Sequence, residues 1–379
     1  MKKSVLFLID SLTCGGAEKS LVSLLPLLDY SKVDVDLLMV NRGGVFERYV
    51  PSEVNIIPFP VQRGLFFKLS QILFSIALRM FPKRHGAELR WMAMSQTYKG
   101  IDRKYDVAIA YQQGFPTYFI AEKVKAKNKI AWVNVNIFNA GYDPRYNIRF
   151  YNRFDNIVPV SEDLLSIMKT HYPQYINNYV CVYDILNPNI IRQYAHEQVA
   201  ESRCTNGTTL TTTGRMVYQK NYPLAVETAR LLRDKGLQFK WNFVGDGGER
   251  AIVIELVKKY NLENYIQLWG MQPNPYPYMA AADIYVQTSR FEGFGLTIAE
   301  AKILDKPVVS TNFDVVHDQL QHEENGMIAE MTPESLAENI FRLINDKDLR
   351  ERIIVNVKKE ENTTCITEVE KVHKLIFCE

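Results

Sequence analysis

The sequence predicts an α/β protein of two doubly wound domains, each a parallel sheet with helices on both faces, set around a central cleft. Three observations predict it. Short apolar runs alternate with helical patterns along the whole chain. The alternation restarts after a polar stretch near residue 190. The 379 residues also exceed what one core of ordinary size organises. With 47% apolar and 23% charged residues, the composition excludes disordered, collagen-like and coiled-coil classes.

In the first set, Ser4–Ile9, Val33–Val40, Val54–Ile57, Val107–Ala110, Lys129–Val133 and Ile157–Val160 read as buried strands. Helical spacing appears between them, as in Ala17–Leu28 and Ser161–Thr170. Asn187–Gly207 carries Pro188, polar residues and Asn206-Gly207 but no strand pattern, and reads as a linker. The second set of strands is Thr208–Thr213, Phe239–Val244, Tyr265–Leu268, Ile284–Gln287 and Pro307–Ser310. Helices fit at Pro223–Arg233, Glu249–Tyr260 and Leu296–Leu304. After Pro333 the pattern is helical, and Val369, Val372, Leu375 and Ile376 give the last helix an apolar stripe that must pack on something.

The formal net charge of +2 gives no overall field for nucleic acid. The stretch 61–105 nevertheless holds nine basic and two acidic residues. Cys14, Cys181, Cys204, Cys365 and Cys378 are odd in number and lack CxxC spacing. That fits a reducing compartment and neither a disulfide framework nor a zinc site. The apolar stretch Val5–Ile9 ends at Asp10 with no small-residue cleavage site after it, and reads as a strand and not a signal peptide. No apolar run is long enough to span a membrane.

Glycine-bearing turns follow several strands. Gly15-Gly16 opens a helix at Ala17, where backbone N–H groups and the helix dipole favour an anion. The same diglycine is also an ordinary tight turn, and the GxGxxG spacing of dinucleotide folds is absent. Arg215 and Lys220 follow Gly214 at a strand end. They suit a diphosphate, though exposed loop cations are the plainer reading. Val244-Gly245-Asp246-Gly247-Gly248 is either a second close backbone approach or a plain turn. The most specific stretch is Ser289-Arg290-Phe291-Glu292-Gly293-Phe294-Gly295-Leu296-Thr297-Ile298-Ala299-Glu300-Ala301. Its glycines disfavour helix before Leu296, which leaves backbone N–H groups at Phe294, Gly295 and Leu296 for a ligand. Glu300 falls about one turn into the following helix, where a carboxylate can accept both hydroxyls of a ribose.

These segments together resemble the retaining nucleotide-sugar glycosyltransferases of the GT-B fold, family four, also called glycosyl transferases group 1. The resemblance rests on EGFGLTIAEA (292–301), GRMVYQKN (214–221), VGDGGER (244–250), CGGAE (14–18), PVSED (159–163) and NPN (187–189), in the family's order. It implies two Rossmann-like domains: residues 1–187 on the acceptor side, residues 188–365 for the nucleotide-sugar donor, and residues 366–379 as a helix returning to the first domain. It implies that Arg215 and Lys220 bind the donor diphosphate and stabilise the leaving group, and that Glu300 binds the ribose. Glu292 with Phe294, Gly295 and Leu296 would hold the sugar or its phosphate. Gly15, Gly16 and Gly245 would make close backbone approaches. Met271 and Gln272, after Gly270, would meet the nucleobase.

One position departs from the pattern. Many members carry a His after the strand that here ends Ala131-Trp132-Val133, and this chain has Asn134, which can donate a hydrogen bond to a sugar hydroxyl but cannot titrate. His317 and His322 lack metal-site spacing and read as solvated. Asp34-Val35-Asp36 spells a DxD, but the period of two in Val33-x-Val35-x-Leu37 makes it one face of a strand.

The resemblance implies a metal-independent transferase with no cofactor, its substrate a nucleotide-sugar with UDP-sugar favoured. The acceptor would be a glycan or a lipid-diphosphate-linked glycan of cell-surface polysaccharide synthesis. A phosphorylase or epimerase of the same fold, and a non-catalytic nucleotide-sugar-binding subunit, stay open. Within 61–105, Leu65, Leu69, Ile72, Leu73, Ile76 and Met80 recur at helical spacing, flanked by Arg63, Lys68, Arg79, Lys83 and Arg84. The segment reads as a peripheral attachment to an anionic membrane surface on the cytoplasmic side. Its alternative is a core helix of the first domain.

Overall fold

The structure, a computed structural model, describes residues 2–13, 15–197, 202–360 and 363–377. Cys14, Cys378 and part of the polar stretch 187–207 lie outside the described residues. The chain divides into two compact units, Met1–Ile185 with Cys365–Glu379, and Leu186–Thr364.

In the first unit, β1 (Lys3–Ile9), β2 (Val33–Met39), β3 (Asn55–Ile57), β4 (Lys104–Ala110), β5 (Lys125–Val133) and β6 (Asn156–Pro159) form one parallel sheet in the order β3-β2-β1-β4-β5-β6. Val5 through Ile9 are all fully buried. This is why β1 reads as an unbroken apolar run: helices cover both faces of a parallel sheet. Strand order reverses direction between β1 and β4, which makes their C-terminal ends the switch point where open α/β sheets bind ligands.

The second unit repeats the arrangement. β7 (Thr208–Thr213), β8 (Phe239–Val244), β9 (Ile266–Gly270), β10 (Ile284–Gln287), β11 (Val308–Thr311) and β12 (Met327–Ala329) lie parallel in the order β12-β11-β10-β7-β8-β9. The switch point falls between β7 and β10. The threonines of β7 are buried yet satisfied: Thr212 Oγ1 donates to Val286 O at 2.7 Å and accepts from Trp241 Nε1 at 3.0 Å.

The polar stretch after Asn187 contains the helix Pro188–Ala195, which the linker reading did not anticipate. The Asn187 side chain accepts from the Asn189 and Ile190 N–H groups, and Pro188 starts the helix with no N–H to waste. The last helix, Thr363–Phe377, belongs to the first unit. Val372 and Ile376 are fully buried in its core. Lys3 Nζ donates to the Ile376 and Phe377 carbonyls at 3.2 and 3.0 Å, a cation on the helix C-terminus. Tyr183 N donates to Glu368 Oε2 at 2.8 Å.

The helix Leu65–Met80 is not a core helix. Ser70 is its one buried residue, while Phe67 and Phe74 rest on the core along one edge. The apolar stripe points to solvent instead: Leu65 is 76% exposed, and Leu69, Ile72, Leu73, Ile76 and Met80 are all exposed. Arg63, Lys68, Arg79 and Lys83 are exposed and form no ion pair among the described residues. Arg84 differs. It is held by Glu88 at 3.1 Å and Asp143 at 2.5 Å. Among the described residues no helix is long and apolar enough to cross a membrane.

Asp184 is half-buried next to the end of the first unit. Burial pushes its carboxyl up to about 6; a Ser20 hydrogen bond opposes this and the Glu18 charge adds to it. The folded chain therefore holds a proton that the unfolded chain releases near 3.8. The stability this contributes is complete below that value and is lost as pH rises through about 6, to about 3 kcal/mol in all. Urea denaturation of Asp184→Asn should show its stability relative to the native chain rising by about 1–1.5 kcal/mol between about pH 5 and about pH 7.5. A pH-independent difference would remove the raised carboxyl.

Candidate functional site

Arg215 and Lys220 follow β7, and Glu292 to Glu300 follow β10, on either side of the switch point, while Gly245 follows β8 and Met271 and Gln272 follow β9. The chain leaves β7 at Thr213 and turns through Gly214, and the loops after β7 and β8 are laced together. Met216 N donates to Asp246 O at 3.0 Å, and Glu249 N to Met216 O at 2.8 Å. Gly245 has φ +151°, and a Cβ there would lie 1.9 Å from the Gly214 carbonyl oxygen, so no other residue fits this approach.

The short turn Tyr218–Lys220 then ends at Asn221 in the left-handed region, φ 51°. It is bound to the loop after β10 at several points. Thr288 Oγ1 donates to Lys220 O at 2.8 Å and Arg290 N to Gln219 O at 2.8 Å. The Arg290 guanidinium donates to Asn221 Oδ1 at 2.7 Å and stacks over the Tyr218 ring.

The centre of this web is Lys220 with Glu292, Nζ to Oε1 2.6 Å. Glu292 also accepts from Ser289 Oγ at 2.5 Å, Gln287 Nε2 at 2.8 Å and Gln219 Nε2 at 3.1 Å. Its side chain is only 8% exposed. The resemblance gives this carboxylate a part in holding the sugar or its phosphate, and in the structure it faces inward. Four donors converge on it, and one of them, Lys220, is held in place by it. The Lys220 stem passes over Gly214, where a Cβ would meet Cε at 3.1 Å. Arg215 is exposed and carries no hydrogen bond or ion pair among the described residues.

Gly295, φ +84°, turns the chain into the helix Leu296–Ile303. The first N–H groups of that helix, at Leu296 and Thr297, have no carbonyl inside it to reach. Gln319 Nε2 fixes the turn by donating to the Phe294 and Gly295 carbonyls. Glu300, on the same helix, is fully buried, and Tyr276 Oη donates to its Oε1 at 3.0 Å. Met271 is exposed, and Gln272 Nε2 donates back to Trp269 O at 2.8 Å. Arg215, Lys220 and the helix start at Leu296 all lie in connections that leave the strand ends at this switch point, which is chemistry for an anion.

In the first unit the expectations fare unevenly. Gly15 precedes the helix Gly16–Leu24, but a Cβ on Gly15 would sit 2.0 Å from Glu18 Oε2. The helix's own acid closes this turn, so it is not the open anion cradle the diglycine suggested. Asn134 follows β5. Its N–H donates to Gln113 Oε1 at 2.9 Å, while its side-chain Oδ1 and Nδ2 are buried without a hydrogen-bond partner. The DxD is a strand face tied to one guanidinium: Arg103 reaches Asp34 at 2.5 Å and Asp36 at 2.8 Å.

Gln219, Gln287 and Ser289 carry no role of their own in the sequence reading. Neutral amides and hydroxyls carry no motif, and their signal is position alone, beside strand ends on either side of the switch point.

Residues 197–360 match the family model described as glycosyl transferases group 1. An uncharacterized glycosyltransferase of Methanocaldococcus jannaschii is 25% identical over 217 residues, 53% of each chain, so the match spans about half of that relative's length. A Campylobacter jejuni protein is 24% identical over 356 residues, 92% of each chain. It is the N-acetylgalactosamine-N,N'-diacetylbacillosaminyl-diphospho-undecaprenol 4-alpha-N-acetylgalactosaminyltransferase. Among solved structures, Anabaena HepE in complex with UDP and glucose superposes with a TM-score of 0.74 at 18% identity over 100% of both chains. Staphylococcus aureus TarM, in complex with Fondaparinux, alpha-GlcNAc-glycerol and UDP, does so at 0.68 and 14% identity over 99% of both chains. Through residues 197–360 the chain is similar to the glycosyl transferases group 1 family, and its two parallel six-stranded sheets are those of the GT-B fold.

Proposed function

We propose that the chain moves a sugar from a nucleotide-diphosphate donor to a hydroxyl of a glycan or lipid-linked acceptor, with retention at the anomeric carbon and without a metal. UDP-sugar is the favoured donor, and cell-surface polysaccharide synthesis the favoured setting. The observation that carries this reading is the Lys220–Glu292 pair fixed at the switch point beside Arg215 and the helix start at Leu296. A departing diphosphate needs positive charge already in position, because donors that need no rearrangement stabilise developing charge best. Lys220 spends one of its three donors on Glu292 and keeps two for phosphate oxygens. The Campylobacter relative's undecaprenol-diphosphate acceptor and the UDP bound to HepE support the substrate classes.

Retention is what the family resemblance implies, and the way Glu292 is held favours same-face attack over double displacement as its route. A double displacement needs a free carboxylate at the anomeric carbon, and Glu292 is engaged by four donors. Same-face attack, with the leaving phosphate taking the acceptor proton, asks nothing more of it. Glu300 would accept ribose hydroxyls from within its helix. The acceptor end is read as held at a membrane surface on the cytoplasmic side. There the exposed stripe Leu65–Met80 enters the acyl boundary and Arg63, Lys68, Arg79 and Lys83 lie over anionic headgroups.

A thermal-shift screen of UDP-, GDP-, ADP- and CMP-sugars, followed by transfer assays with and without EDTA, tests the reading; activity should survive the chelator. Arg215→Ala should lower transfer by at least about a hundredfold without changing stability, since the side chain supports nothing internal. Lys220→Ala should lower transfer as far and also cost about 3 kcal/mol of stability, because it strands Glu292. Adding Glu292→Gln to that variant should restore stability but not transfer. Near-normal rates in both alanine variants would move the donor site elsewhere.

Glu300→Gln should weaken binding of UDP alone by about tenfold, roughly 1–3 kcal/mol for a buried hydroxyl-accepting group. Calorimetric titration showing equal affinity would remove the ribose role.

The protein should sediment with anionic vesicles at low salt and release as salt rises. Lys68, Arg79 and Lys83 changed together to Glu should abolish this and leave nucleotide binding intact. Failure of the native chain to sediment would end the membrane reading.

A further inference from the structure

The turn that starts the helix Leu296–Ile303 is gripped from a neighbouring strand's connection. Gln319 follows the short turn Asp314–Asp318 after β11, and its side chain reaches the loop after β10. Nε2 donates to the Phe294 carbonyl and, at 3.3 Å, to the Gly295 carbonyl. Only the NH2 end of a carboxamide can face two carbonyl oxygens, so the side chain has one workable orientation. Gly295 permits the approach, since a Cβ there would lie 3.1 Å from Nε2. Gln319 is buried and is itself held from behind. Its carbonyl accepts from Lys302 Nζ at 2.8 Å and Asn325 Nδ2 at 3.2 Å. Glu360 accepts from both of those donors, with Oε2 2.6 Å from Lys302 Nζ and Oε1 2.7 Å from Asn325 Nδ2. This grip exceeds what reversing the chain requires, because Gly295 takes the left-handed conformation without help.

We propose that Gln319 is a positioning residue for the donor diphosphate. A trans peptide is planar, and its C=O and N–H point in opposite directions. No peptide is cis among the described residues. Holding the Phe294 oxygen therefore aims the Gly295 N–H away from Gln319, and holding the Gly295 oxygen aims the Leu296 N–H away likewise. Neither N–H makes a hydrogen bond among the described residues. In the sheet, β10 lies between β11 and β7. Gln319 reaches in from the β11 side, so the two N–H groups face the side on which Arg215 and Lys220 follow β7. Donors set in place beforehand stabilise negative charge without rearranging when it develops. The grip is needed because glycine leaves φ and ψ free. An unheld Phe294–Gly295 peptide can rotate and turn a carbonyl oxygen, with its partial negative charge, towards the phosphate. The role rests on the donor reading proposed above.

The test starts from Gln319→Met, which keeps the side chain's length and removes its donor. Calorimetric titration should show UDP bound about tenfold or more weakly than by the native chain, the scale of one lost hydrogen bond to a charged group. In amide NMR, UDP should move the Gly295 and Leu296 protons downfield in the native chain and leave them nearly unmoved in the variant. Gln319→Glu adds a pH profile. Near about pH 8 its carboxylate repels both carbonyls, and UDP affinity relative to the native chain should fall at least as far. Near about pH 5 the protonated acid donates to one carbonyl, and part of that relative affinity should return. A side chain that only filled space would give no such profile. If Gln319→Met does not fold, Lys302→Met loosens Gln319 from behind and should give the same loss in smaller degree. Equal UDP affinity in the folded variant, or native-like responses of Gly295 and Leu296, overturns the role and leaves the donor reading standing. A native chain that binds no UDP brings down the donor reading, and this role with it.

Discussion

The second unit's chemistry depends on one ion pair, Lys220 with Glu292 at 2.6 Å. A lysine alone at a strand end would sample many rotamers, with its charge in water. Here Glu292 fixes the ammonium, and Gln219, Gln287 and Ser289 fix Glu292. The pair is nearly out of solvent, so each charge has given up hydration and each needs the other. The surrounding backbone follows from that need. Asn221 takes a left-handed conformation to bring Lys220 over Gly214, and Arg290 binds Asn221 so that the turn and the loop cannot separate.

Both sheets use the same strand order, and each places its unusual polar groups where that order reverses. At this point two neighbouring strands feed connections to opposite faces of the sheet, and the space between them is left uncovered. In the second unit cations and a helix start follow the strands that flank it. In the first, Asp10 does so, with Asn134 one strand further along. Identical topology thus presents different polar groups, and the difference lies in a handful of residues at strand ends.

Much of this was legible in the sequence, for a physical reason. Buried parallel strands are continuous apolar runs, so the runs ending at Ile9, Ala110, Val133 and Gln287 mark real strand ends within a residue. The glycines at 245 and 295 announced turns that side chains cannot make. The failures also have causes. The helix Phe115–Lys123 is buried nearly all round and so lacks the one-sided period that reveals a surface helix. The helix after Asn187 was hidden in a polar stretch, although Asn before Pro is itself a helix-start signal. The three-residue β12 is too short to show a pattern. The inward turn of Glu292 was unreadable because its four donors come from three separate stretches, 219–220, 287 and 289.

The helix Leu65–Met80 runs against the economy of the rest. Elsewhere in the first unit large apolar side chains are driven below the surface, and Trp91, Trp132, Tyr111 and Tyr118 are nearly or wholly buried. This helix instead holds Phe67 and Phe74 against the core and leaves the face with Leu65, Leu69, Ile72 and Ile76 in water. At roughly 25 cal/mol per Å2, leaving several such side chains exposed forgoes several kcal/mol that burial would supply. The fold had a simpler remedy, since polar residues at those positions would leave the Phe67 and Phe74 contacts untouched. On the membrane reading proposed above, a stripe whose apolar character contributes so little to folding would draw its stabilisation from a lipid surface and not from water. Arg63, Lys68, Arg79 and Lys83 near it form no ion pair among the described residues, while Arg84 at its end is locked to Glu88 and Asp143. Apolar bulk beside exposed positive charge is what the proposed anionic lipid surface would take up, and neither a protein core nor bulk solvent rewards both.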